Sequence, residues 1–399
     1  MLSQDRQQIA SIGYNIGASS RQRAWVEIDL AALTHNIGQL KSLLSPQTAL
    51  MAVVKADAYG HGAVTVAETV LEAGASWLGV ATVPEGVELR AAGITAPILV
   101  LGATHCPEQV EAIAYWQLQP TLNSFDAANL FAQTLVATNY QGALPVHIKL
   151  DTGMSRLGPC WQQAAEFVQL VQSLPHLQIA SIYSHLATAE SIDRTVLRQQ
   201  QQRFEQAIAQ VKAVSKLPLP CLHLANSAAT LTDSALHYDL VRVGLAVYGL
   251  YPASHLQSAI DLKPALQVKA RVTQVKTIPA GTGVSYGHKF VSDRSLLLAA
   301  IGIGYADGVP RNLSNKMMVL IRGRKVPQIG AITMDQLMLD VTAIPDLQPG
   351  EIVTLLGQEG DEIISADDWA EQLNTISWEI LCGFKHRLPR VALTVTSDQ

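Results

Sequence analysis

The stretch AVVKADAYGHG, Ala52 to Gly62, runs strand-forming apolar residues straight into a lysine, followed by Asp57, Tyr59, His61 and two glycines. Lys55 therefore stands at the exit of a buried strand, where a loop begins. An ammonium facing an apolar interior is costly unless it is paired, neutralised or covalently modified. A lysine snorkelling to the surface at a strand end is the plain reading. A lysine carrying a Schiff base is the chemical one.

Outward from this strand, seven further apolar runs follow: SWLGVAT from Ser76, PILVLGA from Pro97, LQPTLNS from Leu118, PVHIKLDTG from Pro145, IASIYSHLA from Ile179, CLHLANSAAT from Cys221 and LVRVGLAVYG from Leu240. The intervening segments are long enough for crossover helices, clearest over 190–214, where Leu197, Phe204, Ile208 and Val211 share a helical face. Strand alternating with helix argues for parallel pairing, and eight such units match an α/β fold with an amino-terminal (β/α)8 barrel. An open doubly wound sheet satisfies the same count. Lys55, Asp151, His185, Asn226 and Arg242 all fall at or near strand exits, the face on which such barrels place their chemistry.

Before the lysine strand, Trp25 to Ile28 reads as extended, and Leu33, Ile37, Leu40 and Leu44 recur at helical spacing. After Tyr251 the pattern changes. LQVKARVTQVK, from Leu266, alternates apolar and polar as a half-solvated antiparallel strand does. Further strand-like runs and PAGTG, IRGRK and PG turns predict a mainly β carboxy-terminal domain, interrupted by a helix at SADDWAEQL with Ser365 and Asp368 in capping-box spacing. The expected division is a tail over 1–22, a barrel over 23–255 and a β domain over 256–399.

Composition narrows the function classes. The 399 residues are 48% apolar and carry a net charge of -5 with no block of like charge, so neither nucleic acid nor an anionic membrane is implied as a partner. The four cysteines are scattered, without metal-knuckle or redox spacing. No signal-peptide core or spanning segment is present, and a cytoplasmic location is expected.

AVVKADAYGHG resembles the cofactor-lysine motif of the alanine racemases, fold-type III pyridoxal-phosphate enzymes. KLDTGMSRLG, SHLATAE, LANSAAT, VRVGLAVYG, VSYGHKF, IGYADG and TMDQ follow in that family's order and cover nearly the whole chain after about residue 23. The ordered series is far more specific than any one motif. The resemblance implies racemisation of L- and D-alanine with pyridoxal 5'-phosphate, supply of D-alanine for peptidoglycan, and a homodimer with shared active sites.

It also implies roles. Lys55 carries the cofactor and is the base on one face of the substrate Cα; Tyr286, which taken alone reads as a packing residue, is the base on the other, reaching in from the second subunit and aided by His185. Inversion at Cα needs two such groups, and a tyrosine with its ordinary pKa near ~10 needs help to act as a base. Tyr59, Ser227 and the backbone of Gly244 and Leu245 would hold the cofactor phosphate, with Asn226 as support. Arg242, otherwise read as half of a structural salt bridge, would face the pyridine nitrogen. Arg156 would contact the cofactor and the substrate carboxylate, beside Lys149, a position carbamylated in some relatives. Tyr305 would narrow the substrate entrance, and the backbone of Met334 would bind the carboxylate. Asp335 is expected to be structural, and no metal is expected.

Two departures stand out. Thr333 replaces a usual cysteine, and His386 replaces a tyrosine that binds phosphate in many relatives. A serine or broad-specificity racemase is the nearest alternative. A fold-type III decarboxylase would pair the pyridine nitrogen with an acid rather than with Arg242, and a non-catalytic pyridoxal-phosphate carrier would lack Tyr286 and the second domain.

Overall fold

The computed structural model describes residues 23–215, 217–384 and 386–393, so the expected tail over 1–22 lies outside the described residues. The chain divides into two compact units, one over 30–58 and 62–264, the other built from the chain before residue 30, residues 59–61 and the chain from 265 onward.

The segment expected to open the barrel does not belong to it. β1 (Ala24–Asp29) pairs antiparallel with β10 (Leu266–Ile278) and parallel with β19 (Arg390–Leu393), in the second unit. Its burial pattern explains this: Trp25, Val26 and Ile28 are all buried, so both faces of the strand need cover, which an interior strand of the β sheet has.

The first unit is a parallel sheet of eight strands: β2 (Ala49–Val53), β3 (Trp77–Val80), β4 (Ile98–Val100), β5 (Gln119–Leu122), β6 (Leu144–Lys149), β7 (Leu177–Tyr183), β8 (Cys221–His223) and β9 (Leu240–Val243). Each pairs with the next up to β8, and β9 returns to β2 in the register Ala49↔Leu240 to Ala52↔Val243. The sheet's two ends come together where the Asp239 N–H donates to Leu222 O and the Arg242 N–H to Ala225 O, each at 3.0 Å. This is the nearly closed barrel that the eight runs predict. The strands are short and mostly buried, as parallel strands covered on both faces are, although β7 and β8 become buried only toward their ends. Met51, Leu99 and Leu240 pack together in the core, and Gly79 leaves room there: a Cβ on it would stand 3.1 Å from the Met51 sulfur.

Helices follow the strands with apolar faces inward. Leu30–Ser42 buries Leu33, Ile37 and Leu40, while Leu44 lies beyond its end. The expected long helix begins at Thr195, after a turn, and buries Leu197, Phe204 and Val211; Ile208 is only half-buried. Gln200 takes a place on the same buried stripe.

The second unit is a mainly antiparallel sheet in which β10, β13 (Leu296–Ile301), β14 (Met318–Ile321), β15 (Arg324–Ile329), β16 (Leu337–Asp340), β17 (Ile352–Glu359) and β18 (Glu362–Ile364) join β1 and β19. β10 alternates buried and half-buried residues from Leu266 to Val272. A two-stranded ribbon of β11 (Gly283–Val284) and β12 (Phe290–Val291) is not hydrogen-bonded into this sheet, but Val284 packs in one apolar cluster with the sheet's Ile278, Leu296, Leu298 and Ile329. Helix Ala366–Leu373 starts at the predicted capping box, with Ser365 and Asp368 each bonding the other's backbone. Among the described residues no helix is long and apolar enough to cross a membrane.

Candidate active site

Lys55 follows β2 by two residues and is half-buried. The chain then turns through Ala56, Asp57, Ala58 and Tyr59 with φ of 54°, 53°, 52° and 55°, a left-handed turn made entirely by residues that carry a Cβ. Such geometry costs an L-residue about 1–2 kcal/mol each, so local bonds must hold it. Asp57 Oδ1 accepts the Ala63 N–H at 2.7 Å, Glu85 Oε1 accepts the Ala56 N–H at 2.8 Å, and the Gly62 N–H reaches Asp57 O at 3.0 Å.

Arg242, on β9, is 4% exposed, and among the described residues it makes no ion pair. One terminal nitrogen donates to His223 Nδ1 at 2.9 Å; the other donates to Ser184 O at 2.8 Å, Leu224 O at 3.1 Å and His185 Nδ1 at 3.3 Å. The salt-bridge reading of Arg242 is therefore overturned. Its Nε–H has no acceptor among the described residues and is available to a ligand. Burial pulls its pKa down to about 10, which still leaves it charged at neutral pH.

Because a guanidinium only donates, Arg242 dictates the tautomers around it. His223 accepts at Nδ1, so Nε2 carries the proton and donates to Ser181 Oγ at 2.7 Å. Ser181 in turn donates to His147 Nδ1 at 2.5 Å, and His147 Nε2 donates to Gln119 Oε1 at 2.7 Å. His185 likewise accepts at Nδ1 and keeps its proton on Nε2. Burial first, then the neighbouring cations, holds His185 and His223 well below the usual histidine range, and burial takes His147 down to about 3. All three are neutral at physiological pH.

Tyr183, at the end of β7, stacks on His223 with ring centroids 4.7 Å apart, and both Arg242 and Lys149 lie 5.1 Å from its ring centre. Lys149 is buried, and burial together with Arg242 and Arg156 lowers it to about 7. Arg156 is exposed on the loop after β6, near enough for its charge to act on Lys149 and His185. Asn226 caps the helix Ser227–Thr232 by accepting the Ala229 N–H at 3.1 Å, while Ser227 Oγ accepts the Gly244 N–H at 3.1 Å. The Leu245 N–H has no acceptor among the described residues. The barrel thus gathers Lys55, Arg156, His185, Asn226, Ser227, Arg242, Gly244 and Leu245 at its strand exits.

The second unit holds the other expected residues. Tyr59 is 8% exposed and raised in pKa by burial, and the neighbouring Gly60 O accepts from Arg390 at 3.0 Å. Tyr286 projects from the β11–β12 ribbon, 72% exposed and without a side-chain hydrogen bond among the described residues; Ser285, Gly287 and His288 around it have φ of 62°, 70° and 42°. Tyr305 and Met334 are 41% and 52% exposed on adjoining turns. His386 is exposed, in a turn after the last helix.

Several supporting residues escape a reading of the sequence by motif. Gln200 accepts the Ala187 N–H at 2.8 Å and donates to His185 O at 3.0 Å, clamping the His185 loop from both sides. A glutamine on the apolar stripe of Leu197 and Phe204 was the available signal. His147 shares a strand face with Lys149 by the period of two, which marks both as interior.

Comparison with known proteins identifies the family. The model of the alanine racemase N-terminal domain matches residues 28–252, and that of the C-terminal domain matches 265–392. The alanine racemase of a Nostoc species is 71% identical over 372 residues, 93% of this chain and 96% of its own. Among solved structures, the alanine racemase of Bacillus anthracis with bound L-Ala-P is 34% identical at a TM-score of 0.88, covering 94% of this chain and 96% of that one. That of Bartonella henselae with covalently bound pyridoxal phosphate is 34% identical at 0.82, covering 93% and 100%. With both domain models matched and the relatives covered almost end to end, this chain belongs to the alanine racemase family and is an enzyme of that kind.

Proposed function

We propose that this racemase interconverts L- and D-alanine with pyridoxal 5'-phosphate by a two-base mechanism, as a cytoplasmic homodimer that supplies D-alanine for peptidoglycan. The observation that carries the reading is Arg242: a buried guanidinium with no carboxylate partner among the described residues, locked by two histidines and two carbonyls, with its Nε–H left over. A decarboxylase would need an acid in that place.

The barrel's donor set suits the cofactor. Ser227 with the amides of Gly244 and Leu245, and Tyr59 behind Lys55 in sequence, would hold a phosphate; Asn226 supports Ser227 by capping its helix. Pyridoxal phosphate, when bound, supplies a carbonyl that condenses with amines and a ring that delocalises the charge left at Cα.

Lys55 holds the cofactor and moves the proton on one face of Cα. Tyr286 moves it on the other, from a second copy of the chain; a tyrosine 72% exposed on a tightly turned ribbon fits a group that works in a neighbouring subunit. The His185 Nε2–H, left pointing away from Arg242 by its tautomer, stabilises the tyrosinate. Arg242 would donate to the ring nitrogen without yielding a proton, which would limit charge delocalisation and disfavour transamination. Arg156 and the Met334 amide, which has no acceptor among the described residues, bind the carboxylate, and Tyr305 narrows the entrance. Lys149, lowered to about 7, supplies at neutral pH a substantial share of the free amine that carbamylation requires. A narrow entrance at Tyr305 and Met334 would favour a small side chain such as that of alanine, although a small side-chain difference is worth only about 1–3 kcal/mol.

The test is deuterium incorporation at Cα from each alanine enantiomer. Wild type should exchange both, and Lys55→Ala and Tyr286→Phe should each lose exchange unequally between enantiomers, in opposite senses. Equal residual exchange from both enantiomers in Tyr286→Phe would remove that residue from the mechanism. Borohydride should attach the cofactor to the peptide containing Lys55 in the wild type.

A further inference from the structure

In the second unit, the turn IGYADG clasps the turn TMDQ. The Tyr305 N–H donates to Thr333 O and the Ala306 N–H to Met334 O, both at 3.0 Å. Gly304 is required at this crossing, since a Cβ on it would lie 2.3 Å from Thr333 O and 2.5 Å from Met334 O. Inside the first turn Asp307 is fully buried, and its Oδ2 accepts the Gly304 N–H at 3.0 Å.

Arg23 braces this arrangement from the residue before β1. It donates to Asp307 through two nitrogens, at 2.9 and 2.6 Å, and one of them also reaches Gly302 O at 2.7 Å. Arg387 approaches the same carboxylate at 3.6 Å and binds Asp335, on the second turn, at 2.7 Å. A chain of two guanidiniums and two carboxylates thus ties both turns to the ends of the sheet. Packing does not ask for it, because an ion pair with a buried member, as Asp307 is here, is often no more stable than apolar residues of equal volume. What the cluster does is fix geometry, and the side chains it presents, Tyr305 and Met334, are large, apolar and exposed.

We propose that Arg23 and Asp307 form a positioning pair for the racemase reaction, holding the Tyr305 ring and the Met334 amide at the spacing that admits and orients a small amino acid. The proposal rests on the roles given above to Tyr305 and Met334. Neither Arg23 nor Asp307 touches the substrate. They act through the crossing of the two turns, where a displacement on the order of 1 Å is enough to spoil binding.

The experiment compares wild type with Arg23→Met, Arg23→Lys and Arg387→Gln, with activity expressed per bound cofactor. For Arg23→Met, KM for both alanine enantiomers should rise about tenfold or more while kcat changes less than about threefold, because uniform substrate binding is what is lost. Hydrogen exchange at the amides of 304–308 and 333–336 should speed up, with the rest of the β sheet unchanged. Arg23→Lys should recover part of the KM, since it restores the charge without the fork. Arg387→Gln keeps the Arg23 pair and should give a smaller rise, so the question stays answerable if Arg23→Met folds poorly. A lowered melting temperature with unchanged KM would reduce the pair to a structural one, as would faster exchange without a KM effect. Wild type that racemises no amino acid would instead overturn the functional reading itself.

Discussion

Ala56 shows what one residue is asked to do beside the candidate cofactor lysine. At φ 54° it is exposed and pays for a Cβ in left-handed backbone, held by the Glu85 carboxylate on its N–H. Glycine keeps that N–H and removes the steric cost, although it adds freedom to the unfolded chain. Ala56→Gly should therefore leave unfolding free energy within about 1 kcal/mol of wild type, whereas Ala56→Val, β-branched at positive φ, should lose about 1–2 kcal/mol or more. Chemical denaturation of the three proteins checks this, and a Val variant as stable as wild type would show that the turn relaxes. Thr333 makes a different kind of departure: its hydroxyl accepts the Gln336 N–H at 3.1 Å and donates to Gln336 O at 2.8 Å, stapling the turn that displays Met334.

Among the elements, β5 to β9 are joined through the barrel by the chain Gln119–His147–Ser181–His223–Arg242, whose direction follows from the arginine's being a pure donor. It works only while the histidines are neutral. His147 titrates near 6.5 when unfolded and is driven down to about 3 by burial when folded, so between these values the unfolded state binds more protons. Its contribution is complete above about pH 6.5 and is lost progressively as pH falls toward about 3. His223 and His185 act in the same sense. His147→Leu should cost about 1–3 kcal/mol at pH 8, since Ser181 and Gln119 lose their partner, yet decline less steeply than wild type between pH 6.5 and 4. Urea titrations across that range decide the matter, and parallel decline in both proteins would take His147 out of the acid response.

At the scale of the whole molecule, two proposed bases lie some way apart in the chain and belong to different compact units. If each site draws Lys55 from one protomer and Tyr286 from the other, then Lys55→Ala and Tyr286→Phe, each impaired alone, should complement. A refolded equal mixture forms hybrid dimers in which one of the two sites has both groups, so activity should approach about a quarter of wild type by random pairing across a two-fold interface. A mixture no more active than its components would place both bases in one protomer. The β unit is itself a long-range construction, since its sheet pairs β1, near the start of the chain, with β10 and with β19, near the end.

Much of this architecture is legible in the order of residues. Eight apolar runs alternating with helical stripes specify parallel strands, because buried strands need both faces covered; the alternation from Leu266 specifies a half-solvated strand; and the ordered motifs point to one family. The sequence could not place β1, whose buried faces suit either unit until partners are chosen. It did not reveal the left-handed turn after Lys55, since Ala-Asp-Ala-Tyr has no intrinsic preference for positive φ. Nor did it separate Arg242 the ion pair from Arg242 the donor: a guanidinium's role depends on which acceptors surround it, and the histidines and carbonyls around this one come from the exits of β7 and β8. Local pattern was enough for the elements because propensity and periodicity act over a few residues. The tautomers, the brace at Asp307 and the neutrality of the buried histidines were decided only by the fold, which sets burial and brings distant donors and acceptors within bonding range.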